Sequence, residues 1–492
     1  MMKNLSYERK VFVIFLLVQL ILFTAVSMIR LVMPTDALEG IYWGSLHDFG
    51  TPKHPPLAGW ITYITFLIFK KDFFVYLISQ IFILVGLIFT YKTAKLFLNE
   101  TESILSVITL SAGCWVYGYI TSYYGFNPDV ILLCVLPMIT YLGYKAVYDN
   151  KTSNWIILGV IVGLSCLNKY QTALVLLPLI IWAGIFKKEI FKTWKPYLSM
   201  LIAFFIFLPH LLWLVKYDFF PVLYFEGELT DSGWLNHITA PLIFILVQLG
   251  AIAGSIVLFT VLKLKQKSNF KFLNFDDKQK AWFLILIGLV PFIIHVCMGF
   301  AAGGTMRPRW GFEFLYLTTI MLFYFFPIKE ISADSFKFIV KLSFIAILLT
   351  STVMATLFAV EKNYRSRYPV EKITSDLVQD WNSKFNSPLK YIGGYIEWFL
   401  PLVIYNPDKN FDCILDTKGY PNPWITENDL KKHGAIIIDR TKEGVIGYAG
   451  DIKYVKQEIK DIEPKEYSFF VKNAFGMPRE YTIYYYMVAP QQ

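Results

Sequence analysis

The chain has 492 residues, of which 55% are hydrophobic, 18% aromatic and 17% charged, with a mean hydropathy of +0.48. Soluble domains carry about 25% charged residues, so a string of water-soluble domains is excluded, as are disorder, a coiled coil, collagen and a small disulfide scaffold. The net charge of +9 comes from Lys and Arg between apolar runs, which is a topological signal in a membrane protein and no footprint of nucleic acid.

A bilayer-spanning helix needs about 20 apolar residues. The first run, 11–33, is too long for the core of a signal peptide and lacks a small-residue cleavage site, so it reads as an uncleaved span. Further spans are expected near 72–91, 103–120, 128–147, 155–168, 170–186, 197–216, 241–262, 281–300, 310–327 and 337–359, giving about 11 in all. Segment 57–70 is apolar but short. Outer loops are expected at 34–71 and 217–240. The five cysteines show no zinc-ligand spacing and read as small core residues. From residue 361 the chain turns charged, with short alternating apolar runs. A helix over 371–386 and strands over 391–395, 412–416, 435–439 and 481–488 are expected. The fold class is therefore a polytopic α-helical membrane protein over 1–360, with a C-terminal soluble α/β domain over 361–492.

Orientation follows from the lysines. Placing the N-terminus in the cytoplasm collects Lys92, Lys95, Lys145, Lys151, Lys187, Lys188, Lys192, Lys195, Lys263, Lys265 and Lys267 in inside loops. The C-terminal domain then lies on the outer face. On the same outer side fall most of the polar residues that a membrane tolerates poorly. They are Arg30, Asp36, Glu39, Asp48, Lys53, His54, Asn127, Asp129, Lys169, His210, Glu226, Glu228, Asp231, His237, His295, Arg307 and Arg309. Long cations reach the interface by snorkelling, but short Asp36, Glu39, His54 and His295 do not. Carboxylates beside cations in an outer-leaflet site suit a lipid phosphate, with Arg and Lys clamping the phosphate and a carboxylate serving as base.

The most specific stretch runs from Asp36 and Glu39 through Tyr42-Trp43 to Lys53-His54-Pro55-Pro56-Leu57. It resembles the first outer loop of bacterial C-type glycosyltransferases of the protein O-mannosyltransferase-like superfamily, a group that includes aminoarabinose transferases acting on lipid A. Gly163-Leu164-Ser165-Cys166-Leu167-Asn168-Lys169-Tyr170, Tyr124-Gly125-Phe126-Asn127-Pro128-Asp129 and Arg307-Pro308-Arg309-Trp310-Gly311 agree with it. The resemblance implies a polyprenyl-phosphate-linked sugar donor and a lipid or glycan acceptor, with lipid A or lipopolysaccharide core first in line. It implies Asp36 or Glu39 as catalytic base and Lys53, His54, Lys169, Arg307 and Arg309 as donor-phosphate contacts. Tyr42, Trp43, Asn127, Asp129, Tyr170, His210 and His295 are expected to line the substrate pocket. No essential cofactor is expected. A divalent metal is compatible with Asp36, Glu39, Asp48 and His54, although no spacing demands one. The rival classes are a lipid or sugar transporter, which calls for a path to both faces, and a protein O-glycosyltransferase. Membrane lipids are the other expected partner, and nucleic acid is not.

Overall fold

The structure is a computed structural model that describes residues 6–228, 233–268, 275, 277–304, 306–360, 367–406, 411–415, 425–445 and 463–491. Helix α1 (Tyr7–Ser27) starts where the Ser6 hydroxyl accepts the Arg9 N–H. The predicted outer loop then folds into two short helices, α2 (Thr35–Ser45) and α3 (Leu57–Phe69). Next come α4 (Asp72–Ala94), α5 (Glu100–Gly113), α6 (Val116–Tyr124) and α7 (Pro128–Asp149). A capping box between Asn99 and Glu102 opens α5, and the Asn127 side chain caps α7 just before a proline at its first position. The bundle continues with α8 (Thr152–Cys166), α9 (Ala173–Phe186), α10 (Lys195–Lys216), α11 (Phe220–Glu228), α12 (Asn236–Lys265), α13 (Lys278–Ala302), α14 (Thr318–Phe325) and α15 (Ala333–Val360).

Among the described residues seven helices are long and apolar enough to cross a bilayer: α1, α4, α7, α10, α12, α13 and α15. Helices α5 and α6 form an eighth candidate, bent by 48° at Cys114-Trp115. The break sits where α5 crosses α12 glycine to glycine. A Cβ on Gly113 would lie 2.4 Å from the Gly254 carbonyl carbon, so only glycine allows the approach. The expected count of about 11 is reduced because three apolar runs are used differently. Runs 155–168 and 170–186 become α8 and α9, joined through a 3-10 turn at Tyr170–Thr172. Fifteen residues of α8 reach about 22 Å, short of the roughly 30 Å hydrocarbon core. Run 310–327 is a 3-10 stretch, Pro308–Leu317, followed by the eight-residue α14.

The lysine-rich ends gather on one side. There Arg9 pairs with Glu100 at 2.8 Å, Lys195 donates to the Asn150 carbonyl at 2.5 Å and Lys263 to the Phe326 carbonyl at 3.1 Å. The opposite end carries α2, α3, the Tyr170 turn and the Pro308 stretch. Of the cysteines, Cys114, Cys134 and Cys413 are buried and Cys166 is half-buried. Cys297 is exposed on α13, where the core reading gives way to a lipid-facing one.

The C-terminal part holds α16 (Val370–Lys384), α17 (Ile396–Ile404) and α18 (Glu427–His433) around five strands: β1 (Tyr391–Gly394), β2 (Asp412–Leu415), β3 (Ala435–Asp439), β4 (Lys465–Lys472) and β5 (Pro478–Val488). Their order is β2-β1-β3-β5-β4. Strands β2, β1 and β3 are parallel, whereas β5 is antiparallel to β3 and to β4. Strand β4 is an addition to the predicted set. Its inward residues Phe469 and Val471 alternate with exposed ones, as an edge strand requires. This part is seated on the same end of the bundle as α2. The Tyr405 hydroxyl donates to Asp72 at the start of α4 at 2.7 Å and accepts the Met33 N–H at 3.0 Å.

Candidate active site at the rim of the helix bundle

A cavity of about 480 Å³ opens at the end of the bundle that carries α2 and α3. Helix α2 supplies its first wall. Asp36, Glu39, Gly40 and Trp43 recur at the spacing of one helical face, and all four line the cavity. Tyr42 falls off that face. Contrary to expectation it points away, donating its hydroxyl to Asp412 of the C-terminal domain at 2.5 Å.

The loop after α2 is held in shape by its own turn. The Thr51 hydroxyl donates to the His54 carbonyl at 2.8 Å and accepts the His54 N–H at 3.0 Å. Trp60 donates to the Asp48 carbonyl at 3.1 Å, and Leu57 donates to the Leu167 carbonyl at 3.0 Å. Lys53 is thereby brought to Glu39 at 2.5 Å and over the Trp43 ring at 5.6 Å. Burial raises the pKa of the Glu39 carboxyl, offset in part by Lys53. Burial alone would lower Lys53, but the Glu39 charge outweighs it and holds the ammonium above its ordinary value.

A second cluster forms from elements far apart in the chain. Arg309 donates to Asp36 at 2.7 Å, lies 3.8 Å from Asp129 and rests on the Tyr124 ring at 4.8 Å. Burial opposes its charge, yet Asp36 and Asp129 together raise its pKa. Lys169 reaches Asp129 at 2.5 Å and Glu313 at 3.5 Å. Lys169 is aimed by Asn168, which donates to the Pro128 carbonyl at 2.9 Å. Four carboxylates (Asp36, Glu39, Asp129 and Glu313) thus meet Lys53, Lys169 and Arg309, while Arg307 lines the same cavity.

The remaining predicted residues divide by location. Lys53, His54, Asn127, Lys169, Tyr170, His295, Arg307 and Arg309 line the cavity. Asp129 and His210 do not. Asp129 is buried between Lys169 and Arg309 and fixes both. His210 is fully buried and clamps two loops. Its Nδ1 faces the Phe49 carbonyl at 2.6 Å and so carries the proton, leaving Nε2 to accept from the Tyr170 hydroxyl at 2.8 Å. His295 is fixed likewise, with Nδ1 on the Pro291 carbonyl at 3.0 Å and Nε2 accepting from Gln171 at 3.1 Å. Asp231 and the side chain of Glu228 lie outside the described residues.

His54 makes a prediction. Burial, reinforced by Lys169, lowers its pKa well below 6.5. Above about pH 6.5 the ring is neutral in both folded and unfolded chains, so it contributes no pH dependence. Below that the unfolded chain takes up a proton that the folded chain refuses, and stability falls with pH by at most about 1.4 kcal/mol per unit from this group. His54→Gln is expected to flatten the fall in unfolding temperature between pH 7 and pH 5; an unchanged slope would contradict the assignment.

Residues 53–213 match the family described as dolichyl-phosphate-mannose-protein mannosyltransferase. ArnT from Cupriavidus metallidurans in the apo state superposes with a TM-score of 0.61 at 12% identity, over 97% of this chain and 99% of that one. The same protein bound to undecaprenyl phosphate gives 0.56 at 12% identity, over 96% and 97%. The chain shares its fold with ArnT. No curated protein matches it in sequence.

Within this fold, four residues that the sequence did not single out join the site. Glu313 is fully buried against Lys169; the signal that finds it is a lone acid within the apolar run 310–327. Tyr224 and Phe225 of α11 close one side of the cavity. Glu397 of α17 reaches the cavity from the C-terminal domain, and nothing local in its sequence announces that. Among the described residues no group of three or more His, Cys, Asp or Glu side chains is arranged to hold a metal ion. Asp36 and Glu39 are each committed to a cation, Arg309 and Lys53.

Proposed function

We propose that this protein is an integral membrane glycosyltransferase. It moves a monosaccharide from a polyprenyl-phosphate carrier to a cell-envelope acceptor on the periplasmic side, with inversion at the anomeric carbon. Lipid A or lipopolysaccharide core is the favoured acceptor. The observation that carries this reading is the 2.7 Å pair between Asp36 and Arg309, which joins the first and a much later outer loop in one cavity. The family match over residues 53–213 and a fold shared with a protein crystallised with undecaprenyl phosphate support the donor class.

Chemically the parts divide as follows. Pro221, Val222, Met298 and Met306 give one side of the cavity an apolar lining that suits a prenyl chain. Every contacting cation in the cluster is already paired, so a donor phosphate must compete with a carboxylate for it. At Arg309 that competition releases Asp36. Asp36 then takes the proton of the acceptor hydroxyl as its oxygen bonds to the anomeric carbon and the carbon–phosphate oxygen bond breaks. The electron pair leaves on polyprenyl phosphate, whose charge Arg309, Arg307, Lys53 and Lys169 hold. Glu39 keeps Lys53 in place.

The test uses the full chain in nanodiscs with undecaprenyl-phosphate-linked monosaccharides and envelope glycolipid acceptors. Release of undecaprenyl phosphate coupled to a glycosylated product supports the reading, and no release across donors and acceptors overturns it. Because the acids are matched to Lys and Arg, transfer is expected to survive excess EDTA; activity lost to EDTA and restored by Mg²⁺ or Mn²⁺ would assign the acids a metal.

A further inference from the structure

The hairpin between β4 and β5 has a tip at odds with its surroundings. The tip is well formed. The Asn473 side chain accepts the N–H groups of Phe475 and Met477 at 3.0 and 3.1 Å, Gly476 donates to the Asn473 carbonyl at 3.0 Å, and Gly476 takes a left-handed φ of 77°. A tip of this kind on a water-facing domain is ordinarily polar. Here Phe475 is 66% exposed and Met477 57%, and Phe470 on the edge strand β4 is 66% exposed.

Position gives the reason. Ala474 donates its N–H to the carbonyl of Ala359 at 3.2 Å, and Ala359 belongs to the last turn of the membrane-spanning α15. The same end of α15 exposes Val353, Leu357 and Val360, the surface that a spanning helix turns to acyl chains. The hairpin tip therefore prolongs a lipid-facing surface at the level where the helix leaves the membrane. Lys472 and Arg479, both exposed, flank the tip on its two strands, where an anionic headgroup would lie; Glu480 follows farther along β5.

We propose that the β4–β5 hairpin is a lipid-binding element. Phe475 and Met477 enter the outer-leaflet interface, and Lys472 and Arg479 meet anionic headgroups. Beside its bonds to the bundle at Asp72, Tyr42 and Ala359, this gives the domain an attachment on the bilayer itself. That attachment fixes the pose in which Glu397 reaches the cavity.

The experiment places single nitroxide labels at Phe475→Cys, Met477→Cys and, as a water-facing reference, Glu480→Cys. The full chain carries C166A and C297A to remove the two cysteines that are not buried. Power-saturation EPR in nanodiscs of phosphatidylethanolamine with phosphatidylglycerol is expected to show positions 475 and 477 colliding more with oxygen than with a nickel chelate. The order should reverse at 480. Replacing phosphatidylglycerol with phosphatidylcholine is expected to raise nickel access at 475. Equal, water-like access at 475 and 480 overturns the proposal. So does protection of 475 from both reagents, which would mean that protein, and not lipid, covers the tip.

Discussion

Arg309→Ala is expected to lower transfer by about 10²–10³-fold, with a matching loss of undecaprenyl phosphate affinity and a visible loss of stability. The side chain performs three tasks at once. It pairs with Asp36 at 2.7 Å, faces Asp129 at 3.8 Å and covers Tyr124 at 4.8 Å. Removing a cation from a buried pair leaves the partner charge uncompensated, at about 3–5 kcal/mol. Here two carboxylates lose it, and Lys169 remains close to only one of them. The same group is assigned to the leaving phosphate, where loss of one positioned donor is worth about 10²–10³ in rate. Arg309→Lys separates the two effects. A lysine restores the charge but cannot extend a planar fork to Asp36 and Asp129 together. It should recover much of the stability and only part of the affinity. Arg307→Ala, which removes another cavity-lining cation, should cost affinity with less effect on unfolding. Undiminished donor affinity in Arg309→Ala would remove this residue from the phosphate site, whatever its effect on folding.

Much of this site is legible in the chain because membranes penalise misplaced polarity. Short polar side chains at one end of the apolar runs single out Asp36, Glu39, His54 and His295, and all four line the cavity. Helical phase explains one error. Tyr42 stands beside Trp43 in sequence but about 100° away around α2, so adjacency in a motif places it with the wrong neighbours. Depth explains two more. Asp129 and His210 are polar for the sake of Lys169, Arg309 and the Phe49 loop, and a sequence does not separate a residue that faces substrate from one that holds it. Span counting failed where apolar length was not matched by helical length. The run 310–327 loses its first half to a 3-10 stretch that carries Glu313, and the pair 155–186 is cut by the turn that presents Lys169 and Tyr170. Both breaks occur at the site, where local structure yields to the placement of charge. The C-terminal sheet is legible in four of its five strands. The contact of α17 with the cavity is not, since it depends on how a distant domain sits on α2.

Asp36→Asn and Glu39→Gln are expected to part company, although both remove one negative charge from the same wall. The Asp36 side chain is 25% exposed, whereas that of Glu39 is 6% exposed and pressed against Lys53. Only the former has room to meet an acceptor hydroxyl. Its amide counterpart cannot take a proton, so Asp36→Asn should lose about 10²–10⁴-fold in turnover. The same variant ceases to compete for Arg309, so undecaprenyl phosphate should bind it more tightly than it binds the parent. Turnover falling while affinity rises is a combination that simple misfolding does not produce. In Glu39→Gln the base survives and Lys53 loses the charge that holds it. Turnover should fall by no more than about tenfold, roughly 1.4 kcal/mol of barrier, with the larger change in the Michaelis constant for the donor. If Glu39→Gln proves the inactive variant and Asp36→Asn keeps full turnover, the proton is taken by Glu39. Lys53 would then have to leave its carboxylate for the donor phosphate, which moves the competition for cations from Arg309 to the first outer loop.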